Sequence, residues 1–270
     1  MLMGGRTHDP SGPVEAIAEW EEQAARRILD ARDAAERRRA YAEVYDEDNA
    51  VWMARHGERG ISGHTARNSS LLASACSGSG PVLDVGGGTG IAGEAFPVSR
   101  QYVVCDASGL AAATAHGRPG TRVVGLAMEL PFAAGSFDAV LILDVLEHLH
   151  SEDIDACLQN ARRVLRRHGR LLIATPHRFS GPWDSRRVLP DARRRLGLHL
   201  NELSVADMIR LTRRHGFRTV GFETRPARST LMSGTGVGAR ARAWELLGRA
   251  CPPRWRHRWW QLAVLLGEAA

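Results

Sequence analysis

The chain has 270 residues, 44% of them hydrophobic and 24% charged, the balance of a globular protein with one large domain, or one domain plus a helical addition. Its formal charge is +6, and all 36 of its basic Lys+Arg residues are arginine, interleaved with acids rather than gathered in one stripe. That pattern argues against a nucleic-acid partner and for a small-molecule one. The absence of any apolar run of about eighteen residues argues against a transmembrane helix.

Residues 1–12 are polar and Gly-rich, lack the apolar core of a signal peptide, and are expected to be disordered. Residues 13–42 read as one helix, with Pro13 in its first turn and Ile17, Trp20, Ala24 and Ile28 near one face. Tyr41, Tyr45, Trp52 and His56 follow. These aromatics either close over a ligand or anchor the helix on the core, and the sequence leaves both open. Residues 65–76 read as a second helix, ended by the Ser-Gly-Ser-Gly stretch that follows. Residues 13–76 are thus expected to form a helical cap on a domain spanning 77–270. The four cysteines, Cys76, Cys105, Cys157 and Cys251, form no CxxC pair. Reduced thiols in a cytoplasmic protein are the better reading than disulfides or zinc.

Pro81 to Gly90 reads Pro-Val-Leu-Asp-Val-Gly-Gly-Gly-Thr-Gly. A short apolar strand runs into a bend whose backbone needs angles that glycine accepts freely, and residues 91–96 are expected to open a helix. The spacing Gly86-x-Gly88-x-Gly90 is neither the dinucleotide fingerprint nor a P-loop. Asp84 disfavours a pyrophosphate and favours a cationic or hydroxyl-bearing ligand. A second strand, residues 101–105, closes on Asp106, placed to accept both hydroxyls of a ribose; its alternative is a cap on the next helix through Ala107 and Ser108. A third strand at 122–125 leads into Leu126-Ala-Met-Glu-Leu-Pro-Phe132, and a fourth runs from Gly135-Ser-Phe-Asp138 to Asp144.

The bend, the acid after strand two, the Leu-Pro-Phe segment and Gly-Ser-Phe-Asp occur in that order. In this they resemble class I S-adenosylmethionine (SAM)-dependent methyltransferases, over about residues 40–267. The resemblance implies an α/β fold: a Rossmann-like, seven-stranded, mostly parallel sheet with helices on both faces, a helical cap that often closes over the cofactor, and an antiparallel last strand. It implies SAM as cofactor, held by Asp84, Gly86, Gly87, Gly88, Gly90, Asp106, Ala107, Ala127, Met128, Asp144 and Val145. Leu126 stands where the family has an aspartate that meets the adenine amino group, so backbone groups of Ala127 and Met128 inherit that edge.

Asp144-Val-Leu-Glu147-His148-Leu follows strand four. His148 as general base, Asp144, Glu147 and His148 as a divalent-metal site, and a purely structural trio all remain open. The metal reading leans on a likeness to the Glu-x-x-Glu-His of the ubiquinone O-methyltransferases. It is not favoured, no residue is assigned as a ligand, and His148 is taken as the catalytic residue.

Residues 151–167 read as an amphipathic helix and 170–175 as strand five. Residues 176–201 interrupt the alternation, and an insertion at that sheet edge is where acceptor specificity usually resides. Tyr45, His177, Arg178, Trp183 and His199 are the candidate acceptor contacts, against the alternative of a loop decorated with solvated arginines. A helix at 203–215, strand six at 217–223 and a helix at 239–250 follow. The terminal run Trp259-Trp-Gln-Leu-Ala-Val-Leu-Leu-Gly267 is read as an antiparallel strand beside strand six rather than a membrane-surface helix. The expected reaction is methyl transfer to a small-molecule oxygen, with nitrogen and carbon acceptors open. A nicotinamide oxidoreductase and a non-catalytic SAM-fold subunit are the readings from other classes. Oligomeric state is not legible.

Overall fold

Val82, Leu83 and Val85 are almost wholly buried, and this run forms β1 (Val82–Val85) in the middle of the sheet. The computed structural model describes residues 14–56, 72, 76, 78–114, 120–179, 181–189, 196–224, 232–233, 236–252 and 262–270. β1 pairs in parallel with β2 (Tyr102–Asp106) on one side and β4 (Phe137–Leu143) on the other. β3 (Thr121–Val124) lies outside β2, and β5 (Leu165–Pro176) lies outside β4, both parallel. β8 (Leu262–Ala269) fills the slot between β5 and β6 (Phe217–Thr224), antiparallel to each. The terminal apolar run is therefore the expected strand.

The full order is β3-β2-β1-β4-β5-β8-β6-β7, where β7 is the two-residue edge piece Met232–Ser233. The seven expected strands thus gain a short eighth. Strand order reverses between β1 and β4, and in a doubly wound sheet that reversal opens a crevice outside the carboxyl ends of the two strands.

Among the described residues the α-helices are α1 (Val14–Leu29), α2 (Ala34–His56), α3 (Gly109–Ala113), α4 (Ser151–Val164), α5 (Val205–Arg214) and α6 (Val237–Ala250). The single helix expected over 13–42 is thus two. Asp33 accepts a hydrogen bond from the Glu36 amide at 2.8 Å, so it restarts the chain as an N-terminal cap. The helix expected over 65–76 falls outside the described residues, apart from Leu72 and Cys76. α4 stops at Val164 rather than continuing to 167, and β5 begins at once, with an irregularity around the left-handed His168 (φ 62°). α5 starts on a capping box between Ser204 and Asp207, as its sequence suggests.

α2 is held to α4 by a buried ionic contact. Arg37 donates to Asp153 at 2.6 and 3.1 Å, Tyr41 donates to the same carboxylate at 2.9 Å, and the His150 amide donates to the Tyr41 hydroxyl at 2.7 Å. Arg37 and Asp153 are each only 7% exposed, and stripping one partner from such a pair costs about 3–5 kcal/mol. The lock fixes the direction in which α2 runs.

Candidate active site

The bend after β1 has left-handed glycines at Gly86 (φ 65°), Gly88 (φ 52°) and Gly90 (φ 82°). Close neighbours reinforce the need for glycine. A Cβ on Gly86 would lie 2.5 Å from Val145 Cγ2, and one on Gly87 would lie 2.5 Å from the Asp84 carboxylate. The expected helix at 91–96 is only a 3-10 turn, Ile91–Ala95.

Three charged groups shape the bend. Asp84 lies beneath it, 1% exposed, and its carboxylate accepts a hydrogen bond from the Tyr102 hydroxyl. Asp106, at the tip of β2, accepts the Gly88 amide at 2.8 Å with one oxygen and the Ser108 amide at 2.8 Å with the other. Arg122 on β3 donates to the Thr89 carbonyl at 2.7 Å and the Gly88 carbonyl at 3.4 Å. Asp106 thus braces the turn toward α3, and spare lone pairs remain on its oxygens at the strand tip. Burial raises its pKa, as does the nearby Asp46 charge. Asp46 on α2 accepts Ser108 Oγ at 2.6 Å and the Leu110 amide at 3.1 Å, so it steadies the start of α3 from another helix. No local pattern announced Asp46 or Arg122.

Burial pushes the Asp84 carboxyl up to about 7, against the partial relief of the Tyr102 hydrogen bond. A carboxyl that binds its proton more tightly folded than unfolded stabilises the fold at low pH. It loses that contribution as pH rises from its ordinary 3.8 through about 7. Relative to Asp84→Asn, the wild-type chain is therefore expected to lose on the order of a few kcal/mol of stability across that window. Urea titrations of both chains at stepped pH check this, and parallel pH profiles would refute it.

The segment expected to hold an adenine keeps its backbone busy. Met128 is buried, and its carbonyl accepts the Asn160 amide at 2.6 Å; the Glu129 amide donates to the Leu126 carbonyl at 2.9 Å. Glu129 pairs with Arg38 of α2.

Beyond β4, Asp144 is left-handed (φ 53°), and its amide donates to the Ala174 carbonyl at 2.8 Å. Val145 rests against Gly86, and residues Leu146–His148 make a 3-10 turn. Of the trio expected here, Glu147 and His148 come together, but the third partner is His199, from the insertion, rather than Asp144. One ligand atom from each of Glu147, His148 and His199 lies within 4.8 Å of the others. Glu147 is fully buried and accepts the Thr175 hydroxyl at 3.0 Å; burial and the Asp144 charge raise its pKa. His148 Nδ1 lies 3.1 Å from the Leu198 carbonyl, and burial lowers its pKa to about 3. Burial also lowers the proton affinity of His199. The Glu202 hydrogen bond, with the Glu147 and Asp184 charges, outweighs that and leaves its pKa raised.

Tyr45 meets His148 edge-on at 5.6 Å, and His199 meets it edge-on at 4.8 Å. The other insertion residues have their own partners. His177 is fully buried at the base of the insertion and accepts the Phe179 amide at 3.2 Å. Arg178 pairs with Asp207 on α5 at 2.7 Å. Trp183 carries the Arg187 guanidinium on its ring at 3.9 Å, and its amide donates to Glu202 at 2.7 Å. Asp184 accepts the Arg186 side chain at 2.7 Å and the His199 amide at 3.3 Å, folding the insertion back toward the crevice. Arg193, Arg194 and Arg195 lie outside the described residues.

The glycine bend on β1, the acid at the tip of β2, the strand reversal and the antiparallel β8 together make a Rossmann-like sheet with its ligand crevice at the strand reversal. Residues 83–173 match the family model described as "Methyltransferase domain". Demethylmenaquinone methyltransferase of Corynebacterium glutamicum is 39% identical over 102 residues, covering 37% of this chain and 42% of that protein. The chain thus matches less than half the length of that curated relative. Among solved structures, the Burkholderia thailandensis 1,6-didemethyltoxoflavin-N1-methyltransferase, with bound 1,6-didemethyltoxoflavin and S-adenosylhomocysteine, aligns with a TM-score of 0.55. It is 17% identical, over 86% of this chain and 90% of that one. The (4+2)-cyclase SpnF aligns at 0.53 and 19% identity, over 76% and 81%. These structural likenesses establish the fold. Among the described residues, no helix is long and apolar enough to cross a membrane.

Proposed function

We propose that the chain binds SAM across the bend and transfers its methyl group to an oxygen of a small-molecule acceptor, with His148 as the catalytic residue. The observation that carries this is the hydrogen bond from the Gly88 amide to Asp106, which joins the bend and the strand-tip acid in one ligand-facing corner. The fit to an adenosyl group is chemical. Asp106 uses one acceptor site of each oxygen on the backbone, and the remaining lone pairs suit a ribose diol. Bare left-handed glycines let a ligand lie against the backbone, Asp84 steadies the bend from below, and Ala127 and Met128 line the adenine edge. When bound, SAM supplies a sulfonium-activated methyl group, so the protein needs no covalent nucleophile and acts by alignment and exclusion of water.

His148 faces the acceptor. Its Nδ1 is committed to the Leu198 carbonyl, which leaves Nε2 for the acceptor hydroxyl. Tyr45, Trp183 and His199 form the acceptor wall. α1 and α2 form a cap and residues 176–201 a lid, a reading supported by the contacts of α2 with both Ser108 and His148. The named acceptors of the two methyltransferase relatives support a small-molecule substrate. Isothermal titration of the full chain is expected to show binding of SAM and S-adenosylhomocysteine and none of NAD. Heat released by NAD alone would move the assignment to a nicotinamide enzyme. Silence toward all three would leave a fold without this cofactor.

A further inference from the structure

We infer that Glu147, His148 and His199 form a binding site for one divalent transition ion of the zinc class. The three side chains come from two separated stretches of chain, and their ligand atoms converge within 4.8 Å. Each is also oriented from behind. The Thr175 hydroxyl holds Glu147 Oε2 at 3.0 Å, while Oε1 is buried without a hydrogen-bond partner. The Leu198 carbonyl, 3.1 Å from His148 Nδ1, can only accept, so Nδ1 carries the proton and Nε2 the lone pair. Glu202 Oε1 does the same to His199 Nδ1 at 3.3 Å. A carboxylate or carbonyl behind each imidazole is the arrangement that fixes the tautomer of metal-ligating histidines.

Two imidazole nitrogens and one carboxylate oxygen suit zinc, iron(II) or cobalt(II). Magnesium and calcium prefer oxygen ligands throughout. Three protein ligands also leave a coordination position open, as catalytic rather than structural zinc sites do. The inference rests on the proposed methyl transfer only for what fills that position, and it changes the part His148 plays there: with the ion bound, Nε2 is a ligand rather than a free base, and an acceptor hydroxyl on the ion would lose its proton to solvent more readily. The competing arrangement is a protonated His199 bridging Glu202 and Glu147, which needs no ion.

The test uses the full chain, stripped with a chelator and titrated with cobalt(II), then displaced with zinc. It is expected to take up about one cobalt per chain, with the strong visible bands of a low-coordinate site, and to gain thermal stability with zinc. Glu202→Gln, which touches no ion, is expected to weaken cobalt binding about 10- to 100-fold, and His199→Ala to weaken it further. Circular dichroism confirms that each variant is folded, and Glu147→Gln serves as the second ligand variant should His199→Ala fail to fold. No cobalt uptake by the wild-type chain, or equal uptake by folded His199→Ala, overturns the site. SAM binding without cobalt uptake removes the ion and keeps the cofactor reading. Cobalt uptake without SAM binding does the reverse.

Discussion

Asp106→Ala is expected to weaken SAM binding at least about a hundredfold while leaving the chain folded. Two charge-assisted hydrogen bonds to a ribose diol contribute about 1.5–3 kcal/mol each, which sets that scale. The same substitution releases the Gly88 and Ser108 amides, so the bend loses its brace as well as its ligand contact. Asp106→Asn is a milder version of both effects. It keeps one acceptor oxygen, but its NH2 group meets either the Gly88 or the Ser108 amide and removes one acceptor from the ribose, so an intermediate loss is expected. Calorimetry with SAM and with S-adenosylhomocysteine measures all three chains. Equal affinity in wild type and Asp106→Ala would remove the acid from the cofactor site.

His148→Ala is expected to lower turnover about 10²- to 10⁴-fold, the range for a group acting on the acceptor's proton, with SAM affinity held within about twofold. The separation follows from position. His148 sits beyond β4 among Tyr45, Glu147 and His199, whereas the bend and Asp106 lie beyond β1 and β2. Loss of SAM affinity along with turnover would place His148 in the cofactor seat instead. Unchanged turnover would remove it from the chemistry altogether.

Much of the sheet could be read from the sequence because its signals are local. An apolar run ending in glycines, an acid after the next strand, and a long apolar stretch with no other role each declare themselves within about ten residues. The strand at 262–269 needed only the absence of another candidate for the slot beside β6. The break near Asp33 was less visible, since a charged, alanine-rich stretch is helix-compatible throughout and only the cap onto Glu36 ends the ambiguity.

The site was half legible. Glu147 and His148 are neighbours in sequence, but His199 reaches them only because Asp184 and Glu202 fold the insertion back. Asp144 was the nearer candidate in sequence, and its charge does act on Glu147, but the converging ligand atoms are those of Glu147, His148 and His199. Asp46 and Arg122 brace α3 and the bend across the fold, and tertiary pairing of that kind leaves no periodic trace.

The contact of Val145 with Gly86 has a consequence for how the two substrates communicate. Val145 Cγ2 stands 2.5 Å from where a Cβ on Gly86 would be, so the turn carrying His148 packs directly on the bend beyond β1. Occupancy on the acceptor side is thus expected to tighten or loosen the adenosyl side, and linkage requires the reverse influence to be of equal size.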